Sequence, residues 1–189
     1  YDLRNSKYRA DDGFRNTFSQ ELPLLSDNSE IVNSFETSRY QKISEMVTKV
    51  SFYGKSVNTL KNEDVRISKR LFMPSSKLRG FESGKIGPVQ NNDFIGGNYI
   101  SSVNFTATLP KFLPSFQNMD FLFFVDAANV WGVDYDSSID DNSKIRSSTG
   151  IAMDVSTPIG PLNFSLSQPI TKSSTDKTES FRFNLGTTF

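Results

Sequence analysis

Hydrophobic side chains recur at every second position through most of this chain. From Gly13 to Leu24, Phe14, Phe18, Leu22 and Leu24 share one parity, and Arg15, Thr17, Ser19 and Glu21 share the other. That is the pattern of a strand with one apolar side. Ser26-Asp27-Asn28 reads as a turn, and Ile31 to Lys42 as a strand of weaker pattern with no clear face. Met46 to Lys55 sets Met46, Val50 and Phe52 against Val47, Lys49, Ser51 and Tyr53. Ile95 to Leu109 alternates cleanly, with Tyr99, Val103, Phe105, Ala107 and Leu109 opposite Ser102, Asn104, Thr106 and Thr108. Gly96-Gly97 at its start predicts a bulge or a close backbone approach. After a turn bracketed by Pro110 and Pro114, Phe121 to Trp131 is the most hydrophobic strand. Its single charge, Asp126, falls on the parity opposite Phe121, Phe123, Val125 and Trp131, so the carboxylate points inward. It either meets a donor there or faces water in a lumen. Ile145 to Ser156 aligns Ile151, Met153 and Val155; beyond the Pro158-Ile159-Gly160-Pro161 turn, Leu162, Phe164, Leu166 and Ile170 alternate with Asn163, Ser165 and Ser167. The chain closes on Phe181 to Phe189, alternating to the end.

Between the third and fourth of these strands, residues 57–94 form a long polar loop. Asp64 to Phe72 within it has an extended look. A loop of this length inside a compact unit is usually functional or disordered. The stretch Leu78-Arg79-Gly80-Phe81 with Ile86-Gly87-Pro88 argues for one fixed shape. Arg79 offers five donors in a planar fork, Gly80 lets the backbone turn where a side chain would clash, and Phe81 supplies an apolar anchor.

Composition narrows the reading. The 21 basic and 21 acidic residues balance, which argues against a nucleic-acid or polybasic membrane partner. There is no histidine and no cysteine, so the usual general base, thiol nucleophile, zinc ligands and disulfides are missing together. Gly54-Lys55-Ser56 lacks the upstream glycine of a phosphate loop, because Lys49 holds that position. Asp134, Asp136, Asp140 and Asp141 suggest calcium, but no glycine or closing glutamate falls at the required spacing, and a solvated loop is the expected reading. No metal, no cofactor and no enzymatic activity are expected. The chain opens at Tyr1 with no signal-peptide pattern and is expected to be a piece of something longer.

About eight strands of roughly ten residues, joined alternately by tight turns and longer polar loops, have the grammar of a transmembrane β-barrel. A soluble sandwich or lipocalin-like barrel also alternates. Here, however, the polar faces are rich in Ser, Thr, Asn and Arg, and Tyr99, Trp131, Phe181 and Phe189 sit near strand ends as interfacial girdles would. The expected fold is therefore all-β, an antiparallel barrel facing the lipid bilayer.

The loop motif, the strand Phe123-Phe124-Val125-Asp126-Ala127-Ala128-Asn129-Val130-Trp131, the run Arg146-Ser147-Ser148-Thr149-Gly150-Ile151-Ala152, the turn Ser156 to Leu162 and the terminal Phe181 to Phe189 appear in one order. Together they resemble the C-terminal half of the barrel of the outer-membrane insertase family, the bacterial surface antigen superfamily. Pro74-Ser75 stands where that family often has Gly-Gly, and Asp126-Ala127-Ala128 where it usually has Asp-x-Gly. The resemblance implies a sixteen-stranded barrel, of which this chain supplies the last eight strands and the tail of the one before, with periplasmic repeats upstream and absent here. It implies that Arg79 reaches back to Asp126. It implies that Phe181, Phe183, Leu185 and Phe189 form a C-terminal assembly signal, with Gly186 weakening the seam between last and first strands. The implied function is assembly and insertion of β-barrel proteins in the bacterial outer membrane, with unfolded outer-membrane proteins as clients and accessory lipoproteins as partners. The alternatives are a polypeptide-secreting or autotransporter-assembly barrel of the same superfamily, and a small passive channel.

Overall fold

The computed structural model describes residues 1–7, 9–23, 30–61, 63–111, 118–140, 144–157 and 160–185. Eight strands form one antiparallel sheet: β1 (Gly13–Glu21), β2 (Glu30–Ile43), β3 (Met46–Thr59), β6 (Tyr99–Thr108), β7 (Met119–Trp131), β8 (Arg146–Thr157), β9 (Gly160–Thr171) and β10 (Phe181–Leu185). Each pairs with its neighbour in that order, and the two-residue strands β4 (Val89–Gln90) and β5 (Asp93–Phe94) pair with each other inside the long loop. β1 and β10 are the edges, so within this chain the sheet is open. Tyr1 to Leu3 lies along β1, with Leu3 donating to the Phe14 carbonyl (2.9 Å) and Asn16 to that of Tyr1 (2.8 Å).

Because the strands alternate in direction, the connections 22–29, 60–98, 132–145 and 172–180 leave from one end. The connections 44–45, 109–118 and 158–159 leave from the other.

The two faces differ as the period-two pattern requires. Phe35, Val50, Phe52, Val103, Phe121, Phe123, Val125, Ile151 and Leu166 are exposed on one face. On the other, Ser38, Ser51, Ser102, Asn104, Asp126, Ser148, Asn163 and Ser165 are buried. Apolar side chains outward and buried polar ones inward invert a soluble sheet, and match a wall whose outer solvent is lipid. Tyr99 and Trp131 stack on the outer face with ring centroids 5.7 Å apart.

What buries the inner face is the long loop. Val65, Leu71, Met73, Leu78, Phe81 and Ile86 from the loop pack with Val57, Ile100, Ala128 and Val130 of the wall into one apolar core. At ~1.5–3 kcal/mol for each large side chain fully buried, the loop is a major source of the fold's stability.

Several boundaries differ from the sequence reading. β3 runs on to Thr59 and β6 begins at Tyr99, so the loop spans 60–98 instead of 57–94. Val57 faces the core, and its N–H donates to the Asn98 carbonyl at 2.8 Å, which keeps both strand ends in the ladder. Ile67–Lys69 is a 3₁₀ turn, and among the described residues only Leu71 of the extended-looking stretch forms a β-bridge, with Gly97. The turn's bonds, Lys69 N–H to the Arg66 carbonyl and Arg70 N–H to that of Ile67, swing Arg70 inward. Gly97 is the predicted close approach: it exchanges backbone hydrogen bonds with Leu71, and the Trp131 carbonyl occupies the space a Cβ would fill. β1 ends at Glu21, where Leu22 and Pro23 leave the ladder. Leu24, the Ser26-Asp27-Asn28 turn, Pro114, Asp141, Pro158-Ile159, Gly186 and Phe189 lie outside the described residues.

Candidate functional site

Asp126 is completely buried at the middle of β7, and four donors converge on it. Arg79 approaches side-on, Nε donating to Oδ2 at 2.7 Å and Nη2 to Oδ1 at 2.7 Å, while its backbone N–H reaches Oδ2 at 3.1 Å. The fourth donor is the Asn104 amide, 2.8 Å from Oδ1. A carboxylate has about four lone-pair sites, so Asp126 is saturated, the condition under which a buried charge pair is tolerated. The Arg79 guanidinium lies 3.6 Å from the centre of the Phe124 ring, which adds a cation–π contact in a desolvated site.

The backbone around Arg79 is held as firmly as its side chain. Ser148 Oγ on β8 donates to the Arg79 carbonyl (2.5 Å), and Asn104 Nδ2 on β6 to that of Lys77 (2.9 Å). Lys77 itself pairs with Glu36 on β2 at 2.7 Å, its ammonium 4.9 Å from the Tyr53 ring centre. Gly80 turns with φ +85°, and a Cβ there would sit 3.2 Å from the Cβ atoms of both Ser148 and Ser167. Phe81, 1% exposed, bridges Thr178 of the β9–β10 connection. The structure thus brings Arg79, Gly80, Phe81 and Asp126 together against the inner wall.

Two further buried arginines hold the same assembly. Arg146 Nε and Nη2 reach the Asp176 carboxylate at 3.0 and 3.2 Å, and Nη1 reaches Asn129 at 3.0 Å, tying the 172–180 connection to β7 and β8. Arg70 pairs with Asp134 at 2.7 Å. Burial pushes the Asp134 carboxyl up, but the Val65 N–H, the Asn98 amide and the Arg70 charge outweigh it and hold the group below the ordinary carboxylate range. Among the described acidic residues of that connection, Asp136 accepts from Ser138, and Asp140 pairs with Lys144. Among the described residues no group of acidic side chains is arranged to hold a metal ion.

Of the predicted terminal residues, Phe181, Phe183 and Leu185 point outward from β10 and are exposed. Sequence reasoning did not find Asn104, Ser148, Phe124, Lys77 or the Arg146–Asp176 pair. Asn104 was within reach, because the clean alternation of β6 puts it inward and the register sets it directly opposite Asp126.

An antiparallel wall with lipid-facing apolar residues, a polar inner face and a structured loop folded onto that face is a segment of a transmembrane β-barrel. The chain belongs to the Omp85 superfamily, whose superfamily domain matches residues 1–189. The outer membrane protein assembly factor BamA of Neorickettsia risticii (strain Illinois) is 26% identical over 130 residues, 67% of this chain and 17% of that protein. BamA of Neisseria meningitidis serogroup B is 28% identical over 141 residues, 59% of this chain and 17% of that protein. The crystal structure of BamA from Haemophilus ducreyi lacking POTRA domains 1–3 superposes with a TM-score of 0.86 at 28% identity, covering 97% of this chain and 40% of that one. The lipid the outer face meets is therefore that of the bacterial outer membrane. The chain spans about a sixth of the length of the curated relatives it matches.

Proposed function

We propose that this chain is the C-terminal part of the barrel of an outer-membrane protein insertase, which assembles β-barrel clients in the bacterial outer membrane. The observation that carries this reading is the loop fixed across the inner wall by the Arg79–Asp126 pair. A loop of 39 residues packed against the inner wall obstructs the path that an open passive pore needs. Relatives named as assembly factors support the same reading.

In this proposal the complete barrel has sixteen strands, residues 60–98 are an extracellular loop folded inward, and periplasmic repeats and accessory lipoproteins deliver clients. The work is mechanical and needs neither cofactor nor covalent step. A client strand pairs with an exposed strand edge at the seam beside β10, as edge strands template partners elsewhere. Gly186 weakens that seam, and Phe181, Phe183, Leu185 and Phe189 carry the barrel's own assembly signal.

The test is reconstitution of the complete protein in lipid vesicles with an urea-unfolded barrel client. An insertase raises the rate of client folding over protein-free vesicles, and the Asp126→Asn variant loses most of that gain. Ion conductance with no effect on client folding would point to a passive barrel.

A further inference from the structure

Among the described residues, β10 pairs with β9 from Phe181–Leu166 through Leu185–Leu162, and the Ser167 N–H donates to the Ser180 carbonyl (2.8 Å) just before that ladder. The inward residues of β10 are Arg182 and Asn184, and Arg182 does not contribute to the Asp126 cluster. Its Nη1 donates to the Ser75 carbonyl at 2.6 Å and its Nη2 to the Phe81 carbonyl at 2.5 Å, while Nε pairs with Glu179. The side chain is 10% exposed. One guanidinium therefore spans the loop motif, gripping it on either side of Arg79. The backbone beside it is laced to the same loop: Glu179 N–H donates to the Gly80 carbonyl (3.2 Å) and Glu82 N–H to that of Lys177 (3.0 Å).

We propose that Arg182 is a positioning residue that latches the last strand to the loop, so that β10 moves outward only when its grip on Ser75 and Phe81 is released. The inference rests on the seam reading above, and deepens it by naming what holds the seam shut from inside. The loop is fixed to β7 by Arg79 and to β8 by Ser148, so it is a stationary post. Displacement of β10 by more than a hydrogen bond's tolerance breaks two charge-assisted bonds whose carbonyl acceptors then have no donor in a partly dry site. Only arginine does this. A lysine keeps the charge but is a single point donor and cannot hold two divergent carbonyls in a planar fork.

The chain contains no cysteine, so introduced cysteines are unique within it. Spin labels at Leu185→Cys and Val125→Cys in the complete protein, in outer-membrane lipid, report the β10-to-β7 distance by pulsed resonance. A second pair at Ser83→Cys and Val125→Cys reports the loop. Arg182→Gln removes both charge-assisted hydrogen bonds and is expected to enlarge the long-distance β10 population at least about tenfold, the effect of losing even one of them, while the loop pair stays unchanged. Arg182→Lys is expected to fall between. An unchanged β10 distribution in Arg182→Gln overturns the latch. If Arg182→Gln does not fold, Arg182→Lys decides by the same criterion. Client folding is measured in parallel: a released β10 with unaltered client folding keeps the latch and removes the seam-based account of insertion, whereas an unmoved β10 removes the latch whatever clients do.

Discussion

Asn104 and Asp126 face each other across β6 and β7, and the Asn104 amide is shared between the Asp126 carboxylate (2.8 Å) and the Lys77 carbonyl (2.9 Å). One wall side chain thus orients the carboxylate and also grips the loop backbone. Arg79 completes a site whose acceptors are already oriented. That preorganisation lets a buried ion pair hold a loop without leaving unsatisfied groups behind.

Gly80 is the hinge on which the motif turns between Arg79 and Phe81. Gly80→Ala forces a Cβ at φ +85° into both Ser148 and Ser167. Left-handed backbone costs an L-residue roughly 1–2 kcal/mol before any contact is counted. The variant is expected to assemble but to unfold at lower temperature, as read by the heat-modified mobility of the complete barrel on a gel.

The outer face makes its own prediction. Ile151 lies in the centre of the sheet between Phe123 and Leu166 and is exposed. In a bilayer, Ile151→Lys costs about 2–4 kcal/mol if the position is near the midplane. At a water-facing surface the same change would cost no more than about 0.5 kcal/mol. Urea titration of folding in vesicles separates the two.

Asp134 ties the first part of the loop to the wall through Val65, Arg70 and Asn98. Its folded pKa is depressed, so its stabilising effect is fully present above the unfolded value of about 3.9 and is lost as pH falls through the folded value. A nitroxide at Ser68→Cys is expected to keep the same mobility from pH 7 to pH 5 and to loosen only below about pH 4. Asp134→Asn should loosen it at all these pH values.

The parity of β6, β7 and β8 was legible because each has at least three consecutive apolar residues on one parity, Val103-Phe105-Ala107, Phe121-Phe123-Val125 and Ile151-Met153-Val155, and with it came the inward direction of Asp126. β2 was not legible. Its outward Phe35 is flanked on the same parity by Asn33 and Thr37, and Glu36 on the inner side serves Lys77, so both faces are polar in sequence. The loop's core was hidden for a different reason. Val65, Leu71, Met73, Leu78 and Ile86 follow no period, because irregular backbone aims each one separately at the wall. Partners such as Arg146 and Asp176 lie 30 residues apart, on a strand and in a loop, with nothing local to link them. The Arg79–Asp126 link, 47 residues in span, was reached only through the motifs' resemblance to a family.

The proposed function makes Arg79 and Asp126 one anchor on which client insertion depends. Its most direct test is a double-mutant cycle in the complete protein with Arg79→Ala, Asp126→Ala and both, reading thermal stability and the rate of client folding in vesicles. Each single is expected to cost about 3–5 kcal/mol, because it strands a buried charge. The double is expected to cost less than the sum of the singles by about 0.5–3 kcal/mol, with client folding lost in all three. Strictly additive costs, or singles that insert clients at the wild-type rate, would contradict the account.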